Sequence, residues 1–429
     1  MSTQPILFRN ARRIDPVAGS DTLGDLLVLA GVVTEVGDRL EAPDGARVVD
    51  AAGKVLAPGL VDMRVHAREP GEEHKETIAA MSKVAVAGGV TTVALLPTTE
   101  PGIEDPSLVD FVHRKGEIAG LANVLVYGAL TKGREGKQLT EIGLLTAAGA
   151  VGVSDGPRRS SDALVTRRAL AYAKTFNQMV LTHPEEPSLT ASAVATEGDL
   201  ATRLGLPAGP AIAERMRVER DIHLAELTGG RLHIGPISTA GAIEAIRAAK
   251  KRGVKVTCDT APPYFSLNES AIGDYRTFSK LSPPLRFELD RKAVVEGLAD
   301  GTIDAIASDH AAEDPDAKRL PFVQASYGAV GLETMLPLAL SLVHNGHLGL
   351  VDLFRRLSTR PAELLRKPSK GLAVGATADL ILLDIGKPWR MDPKQLTSLC
   401  KNSPFDGIPV QGEVKLTLVG GRVVFERAA

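Results

Sequence analysis

The sequence predicts a mixed α/β chain, a (β/α)8 barrel of the TIM type with a small β-sandwich domain built from both termini. Three observations carry this. Apolar, β-branched runs alternate with helical stretches through some 300 residues in the middle. Eight such runs can be found, the number that closes a barrel. Both ends of the chain read as short strands with little helix.

Residues 1–57 contain LLVLAG, VVTEVG and ARVVD, β-rich runs punctuated by Gly and Asp. The barrel is expected over residues 58–365. Its strand candidates are VDMRVHA, VTTVALLP, ANVLVYGAL, AVGVSD, QMVLTHP, RLHIGPIS, VKVTCDTAP and IDAIASDH. Between them, HKETIAAMSKVAVAGG and AGAIEAIRAAKKRG repeat apolar residues at helical spacing. Lys250, Lys251 and Arg252 suit the negative end of a helix dipole, and Gly253 is placed to terminate that helix. Residues 366–429 return to strands: ADLILLDI, then VKLTLVGGRVVFE, where Gly420-Gly421 marks a hairpin. A doubly wound open sheet is the alternative, but no Gly-rich phosphate loop follows the first strand.

Composition narrows the function class. Acidic residues number 52 and basic residues 50, a balance that argues against a nucleic-acid binder. The two cysteines, Cys258 and Cys400, cannot build a disulfide framework or a Cys-based zinc site. The N-terminus lacks the long apolar run of a signal peptide, and no stretch approaches the roughly 18 apolar residues that span a membrane. The expectation is a cytoplasmic, soluble protein with no nucleic-acid or membrane partner.

In such a barrel the chemistry sits at the C-terminal ends of the strands. The first strand ends in Arg64, His66 and Arg68; later ones end in Asp155, His183, and Asp309 with His310. Each alone is an ordinary turn or cap residue. Together, His66, Asp155, His183 and Asp309 suggest a divalent-metal constellation. Arg68 could form a structural ion pair with a nearby carboxylate such as Glu69 or Glu76. His74, His233, His310, His344 and His347 read as structural, and Cys258 as a buried small hydrophobe.

At these residues a family becomes visible. The segment PGLVDMRVHAREPGEEHKETI (Pro58 to Ile78) resembles the opening motif of the dihydroorotases, members of the amidohydrolase superfamily. So do VSDG around Asp155, LTHPEE around His183, LSPPLR at Leu281 to Arg286, ASDHA at Ala307 to Ala311 and GLET at Gly331 to Thr334. The motifs occur in family order over essentially the whole chain. The resemblance implies a role in pyrimidine biosynthesis and, for an active member, hydrolysis or closure of the cyclic amide of dihydroorotate with one or two zinc ions.

The pattern is broken at named positions. His66 matches the second member of the family's His-x-His pair, but the first is Arg64. Asp155 matches the bridging ligand, His183 the third His, and Asp309 the final Asp, which also serves as general base. The fourth His belongs in HIxHxST, where this chain has Pro236 in HIGPIST. Arg68 matches the substrate-binding Arg, whereas two family Asn positions hold Thr98 and Ser282 and a substrate-loop His is Glu313. Proline has no side-chain donor atom, and arginine stays protonated. A guanidinium about 4 Å from a divalent ion repels it by roughly 8 kcal/mol at an effective dielectric of 20.

The resemblance thus points to the degenerate dihydroorotase-like subunits associated with aspartate carbamoyltransferase. It implies a homo-oligomer or hetero-complex, with no cofactor. The alternative is an active cyclic amidohydrolase with a single zinc ion on His66, Asp155, His183 and Asp309. In the degenerate case Arg64 is expected to replace the metal charge by pairing with Asp309, Asp155 or both.

Overall fold

The structure, a computed structural model, describes residues 4–157 and 162–428. Each of the eight apolar runs in the middle of the chain forms a strand, and all pair in parallel. Leu60–His66, Val90–Leu96 and Asn123–Val126 form one sheet. Gly128–Ala129, Val153–Ser154, Met179–Thr182, Arg231–Ile234, Val256–Thr260 and Ala305–Ile306 form a second. The third run feeds both sheets, and between its two halves Tyr127 N donates to Leu95 O at 2.9 Å. At the other margin a parallel bridge joins Val65 to His310, and His66 N donates to His310 O at 2.8 Å.

Helices cross between the strands. Ala240–Lys251 forms where the periodicity predicts it, starting at Thr239, whose hydroxyl accepts from Ala242 N. It buries Ala242, Ile243, Ile246 and Ala249 and stops ahead of Gly253, whose φ of +81° suits a residue without Cβ. Ile78–Ala87 is capped in the same way by Thr77.

The two ends of the chain share one eight-stranded sheet. Its order runs Arg422–Glu426, Pro409–Val419, Leu380–Arg390, Val55–Pro58, Ile6–Asp15, Ser20–Leu29, Val32–Gly37, with Arg47–Asp50 also on Ile6–Asp15. The seam between termini is the antiparallel pairing of Leu380–Arg390 with Val55–Pro58. Gly420 and Gly421 turn the last hairpin with φ of +55° and +74°, as the primed hairpin turns require. Phe8, Leu26, Leu56, Leu380 and Leu418 form this sheet's own core. Its other residues, Ile14, Val55, Ile381 and Val414, join the large core of the parallel strands and their helices.

That shared core is tight where the helix Ile78–Ala87 meets the segment after the last parallel strand. A Cβ on Gly88 would lie 2.1 Å from Leu332 O, a backbone atom that cannot rotate away. Gly88→Ala is therefore expected to cost about 1–3 kcal/mol by overpacking. Urea unfolding should show it as a lower midpoint with the secondary structure retained.

Candidate functional site at the strand ends

Leu60–His66 is buried along its whole length, so each polar side chain on it needs a partner inside the protein. Arg64 is only 2% exposed. Its Nε lies 3.2 and 3.1 Å from the two carboxylate oxygens of Asp259, and a terminal nitrogen is 2.9 Å from Oδ2. Asp259 is completely buried on Val256–Thr260 and also receives His233 Nε2 at 3.1 Å. The other His233 nitrogen is 2.8 Å from Thr257 Oγ1. Burial is the largest single influence on each and works against both charges, but it is outweighed by Asp259 and Asp309 acting together on Arg64, and by Arg64 and His233 acting together on Asp259. The Arg64 guanidinium is held above its ordinary pKa, and the Asp259 carboxyl below its own.

This pairing corrects the expectation that Arg64 joins Asp309 or Asp155. The sequence carries one sign of this partner: an acid inside the apolar run VKVTCDT needs a hydrogen-bonding or charged partner within the core. Space is made for the pair by Gly235, where a Cβ would fall 2.0 Å from Asp259 Oδ1 and 2.6 Å from an Arg64 nitrogen. Pro236 follows and brings no donor atom.

The four candidate ligands are engaged as follows. His66 Nε2 is 3.4 Å from Asp309 Oδ1, and its Nδ1 is 3.5 Å from Thr98 Oγ1. Burial keeps this imidazole below its ordinary pKa, even beside Asp309. Asp155 accepts from Thr131 N at 2.8 Å and from Thr131 Oγ1 at 2.7 Å. Burial raises its pKa in spite of those bonds. His183 Nε2 sits 2.8 Å from Glu185 Oε2 and 3.0 Å from Ser282 Oγ, and Ser282 donates to the same Glu185 oxygen at 2.6 Å. Burial opposes the Glu185 charge, but His183 and Ser282 hold its pKa down to about 2. His183 Nδ1 is buried without a hydrogen-bond partner.

Arg68 forms an ion pair with a nearby carboxylate, Glu72 in place of Glu69 or Glu76, and a second with a distant one. Its partners are Glu72 at 2.9 Å and Glu313 at 2.5 Å. His310 is structural, as expected: Nε2 meets Glu76 at 2.9 Å, and Nδ1 accepts from Gly331 N at 3.1 Å. Glu313, like Asp259, is an acid whose partner lies far along the sequence, whereas Glu185 meets His183 within the segment LTHPEE and Ser282 from LSPPLR.

The residues present do not fit the two-ion centre implied by the resemblance. Arg64 and Pro236 offer no lone pair where imidazoles are needed. Among the described residues no group of three or more His, Cys, Asp or Glu is placed to hold a metal ion. Beside Asp309, a cavity lined by Tyr264, Leu281, Gly331 and Phe405 among others has a volume of ≈ 10 Å³. That is room for about one water molecule.

Two outcomes follow from the buried charges. Asp259→Ala strands the Arg64 charge and should cost about 3–5 kcal/mol in urea unfolding at neutral pH. Arg64→Met with Asp259→Leu should cost less than Asp259→Ala alone, because no unpaired charge remains. Asp62 is fully buried and accepts from Arg64 N and Ser308 N, both at 3.1 Å. Burial pushes its carboxyl up from 3.8 to about 6. A folded pKa above the unfolded one stabilises the protein below the lower value, and that gain is lost as pH rises through the higher one. Between pH 4 and 7, Asp62→Asn should therefore gain on the wild type by up to about 3 kcal/mol, read as a difference in unfolding free energy.

Comparison with known proteins places this geometry. The family described as Dihydro-orotase-like matches residues 53–242. A curated dihydroorotase of Geobacter sp. (strain M21) is 45% identical over 421 residues, covering 98% of this chain and 99% of its own. That of Pelobacter propionicus is 46% identical over 422 residues, covering 98% and 100%. Among solved structures, the L-hydantoinase (dihydropyrimidinase) of Arthrobacter aurescens superposes with a TM-score of 0.88 at 26% identity, covering 100% of this chain and 97% of its own. The dihydropyrimidinase of Brevibacillus agri NCHU1002 gives 0.85 at 23% identity, covering 99% and 95%. Site motifs in family order and full-length likeness at this level of identity lead to one assignment: the chain belongs to the dihydroorotase family of the amidohydrolase superfamily.

Proposed function

We propose that this dihydroorotase-family protein is catalytically impaired and serves pyrimidine biosynthesis as a non-catalytic partner of aspartate carbamoyltransferase in the cytoplasm. One observation carries the loss of catalysis. The guanidinium at the first ligand position is buried and bonded to Asp259 by three contacts of 2.9–3.2 Å. Swinging out would leave the buried Asp259 carboxylate without its guanidinium and with only His233 beside it, so Arg64 stays near the place of a metal ion and repels one. The Pro236 ring and the small cavity beside Asp309 support the same reading. The partner is drawn from the resemblance. A well-formed scaffold around a disabled site suits a role in assembly, as part of a homo-oligomer or hetero-complex.

The same reading takes the two parallel sheets as one closed (β/α)8 barrel over residues 58–365. The Tyr127 and Val65–His310 links at the two margins support it. Residues 1–57 and 366–429 are read as one composite β-sandwich domain, supported by the seam between Val55–Pro58 and Leu380–Arg390.

A second reading keeps the site active as a cyclic amidohydrolase with one zinc ion on His66, Asp155, His183 and Asp309, and Asp309 as the catalytic base. The 3.4 Å contact of His66 with Asp309 favours it, as does the likeness to proteins named dihydroorotase. Elemental analysis separates the two. The first reading expects less than about a tenth of an equivalent of metal after zinc reconstitution, and no turnover of dihydroorotate or carbamoyl aspartate. Stoichiometric zinc with turnover would overturn it. Co-elution with aspartate carbamoyltransferase at micromolar concentration tests the partner role, and separate elution rejects it.

A further inference from the structure

Lys318 has no part in the site described above. It lies in the short helix Pro315–Arg319 and is 3% exposed. Its Nζ donates to Thr277 O at 3.2 Å and to Ser326 O at 2.6 Å. Both acceptors are main-chain carbonyls, which cancel no charge. An ammonium owns three hydrogens, so two acceptors leave one of them over. A neutral amine meets the same two carbonyls with its two hydrogens, and its lone pair takes the remaining direction.

The surroundings favour the neutral form. Burial is the largest influence, and Lys280 and Arg68 act with it against the pull of Glu313; together they bring the Lys318 amine down from 10.5 to about 7. Glu313 has cations of its own, Arg68 at 2.5 Å and Lys75 at 3.1 Å. Lys280 is held as Lys318 is, on Val323 O at 2.8 Å and Ala325 O at 2.6 Å. An amine desolvated beside other cations becomes a nucleophile at neutral pH.

Lys318 also lines a cleft of ≈ 590 Å³, a volume that suits a small organic ligand. Tyr275 and Phe278 give the cleft aromatic surface, and Arg276 and Lys401 give it positive charge. Arg276 donates to Ser403 O at 3.4 Å, and Lys401 to Leu396 O at 2.7 Å and Ser398 O at 2.5 Å. These partners are again carbonyls, so both charges stay available to an anion. Among the lining acids, Glu313 is paired as above, and Asp314 caps the short helix by accepting from Ala317 N at 2.9 Å. Asp406 is the other acid on the lining.

We infer that Lys318 is a nucleophilic amine in the wall of this cleft, where it forms an imine with a small aldehyde that bears an oxyanion. The Nζ lone pair attacks the carbonyl carbon, and the π pair moves to oxygen, which becomes a hydroxyl. The hydroxyl then leaves as water with the C–O pair and, in net, both amine hydrogens, and a C=N bond remains. One amine and one aldehyde give one imine and one water, with no oxidant or reductant. Arg276 and Lys401 receive the oxyanion, and Tyr275 and Phe278 cover the carbon frame. None of these residues is a candidate metal ligand, so the inference stands apart from the state of that site.

The test uses pyridoxal 5′-phosphate as the probe, added to the intact protein at neutral pH, with borohydride to fix the imine and peptide mapping to locate it. Lys318 should carry at least about tenfold more adduct than an exposed lysine such as Lys137, because far more of its amine is neutral. Unfolding the protein in urea before labelling should erase that excess. Labelling of Lys318 no greater than that of Lys137 overturns the inference, as does an excess that survives unfolding. Pyridoxal, which lacks the phosphate, should label Lys318 at least about threefold less; equal labelling rejects the oxyanion part. Lys318→Arg should remove the main adduct and leave the others unchanged, and a main adduct that persists in this variant refutes the assignment to Lys318.

Discussion

A positive charge sealed among parallel strands must be answered by a negative one at contact distance. Arg64 and Asp259 meet that demand, and much of the surrounding structure serves them. Gly235 lies where a side chain would collide with both. His233 supplies a further hydrogen bond to the acid, with its own second nitrogen held by Thr257. The same strand turns Asp62 toward Arg64 N and Ser308 N. The pair is worth little as net stabilisation, since both ions paid for their dehydration, but losing one partner alone is costly. It therefore acts as a lock on the geometry of the strand ends.

The ionisable groups around that lock follow a common rule. Asp155 is bonded to Thr131, the Nε2 of His183 to Glu185 and Ser282, and Arg68 to Glu72 and Glu313. Protein groups are the partners of these side chains in each case. Such internal satisfaction keeps a polar strand-end region stable without a ligand, because buried charges no longer depend on one. It also sets a barrier for any ligand, which has to displace a bonded side chain to enter. The likeness to dihydroorotases extends across 98% of the chain, and it is a likeness of scaffold; what a site on that scaffold does depends on the particular side chains at the strand ends.

The parallel strands were legible because burial on both faces produces continuous apolar runs, and helices between them repeat at a different period. The Gly420-Gly421 hairpin and the stop at Gly253 were legible for a local reason: both positions need a backbone conformation that glycine adopts freely. That Arg64 and Pro236 offer no lone pair to a metal was also legible, since it is a statement about which atoms a residue owns. The partners were not. Asp259 lies 195 residues from Arg64, and Glu313 lies 245 from Arg68. Nothing in the local pattern of either acid names the cation that it meets.

The sequence by itself determined the type of chain, the order of its strands and the chemical capacity of each strand end. These depend on periodicity, on turn residues and on side-chain identity, all of which are local. Only the tertiary structure decided which charges touch. Contact across a sheet depends on strand order, register and the space left by small residues such as Gly235, and electrostatic energy falls so steeply with distance that a few ångströms decide whether a buried charge is paired.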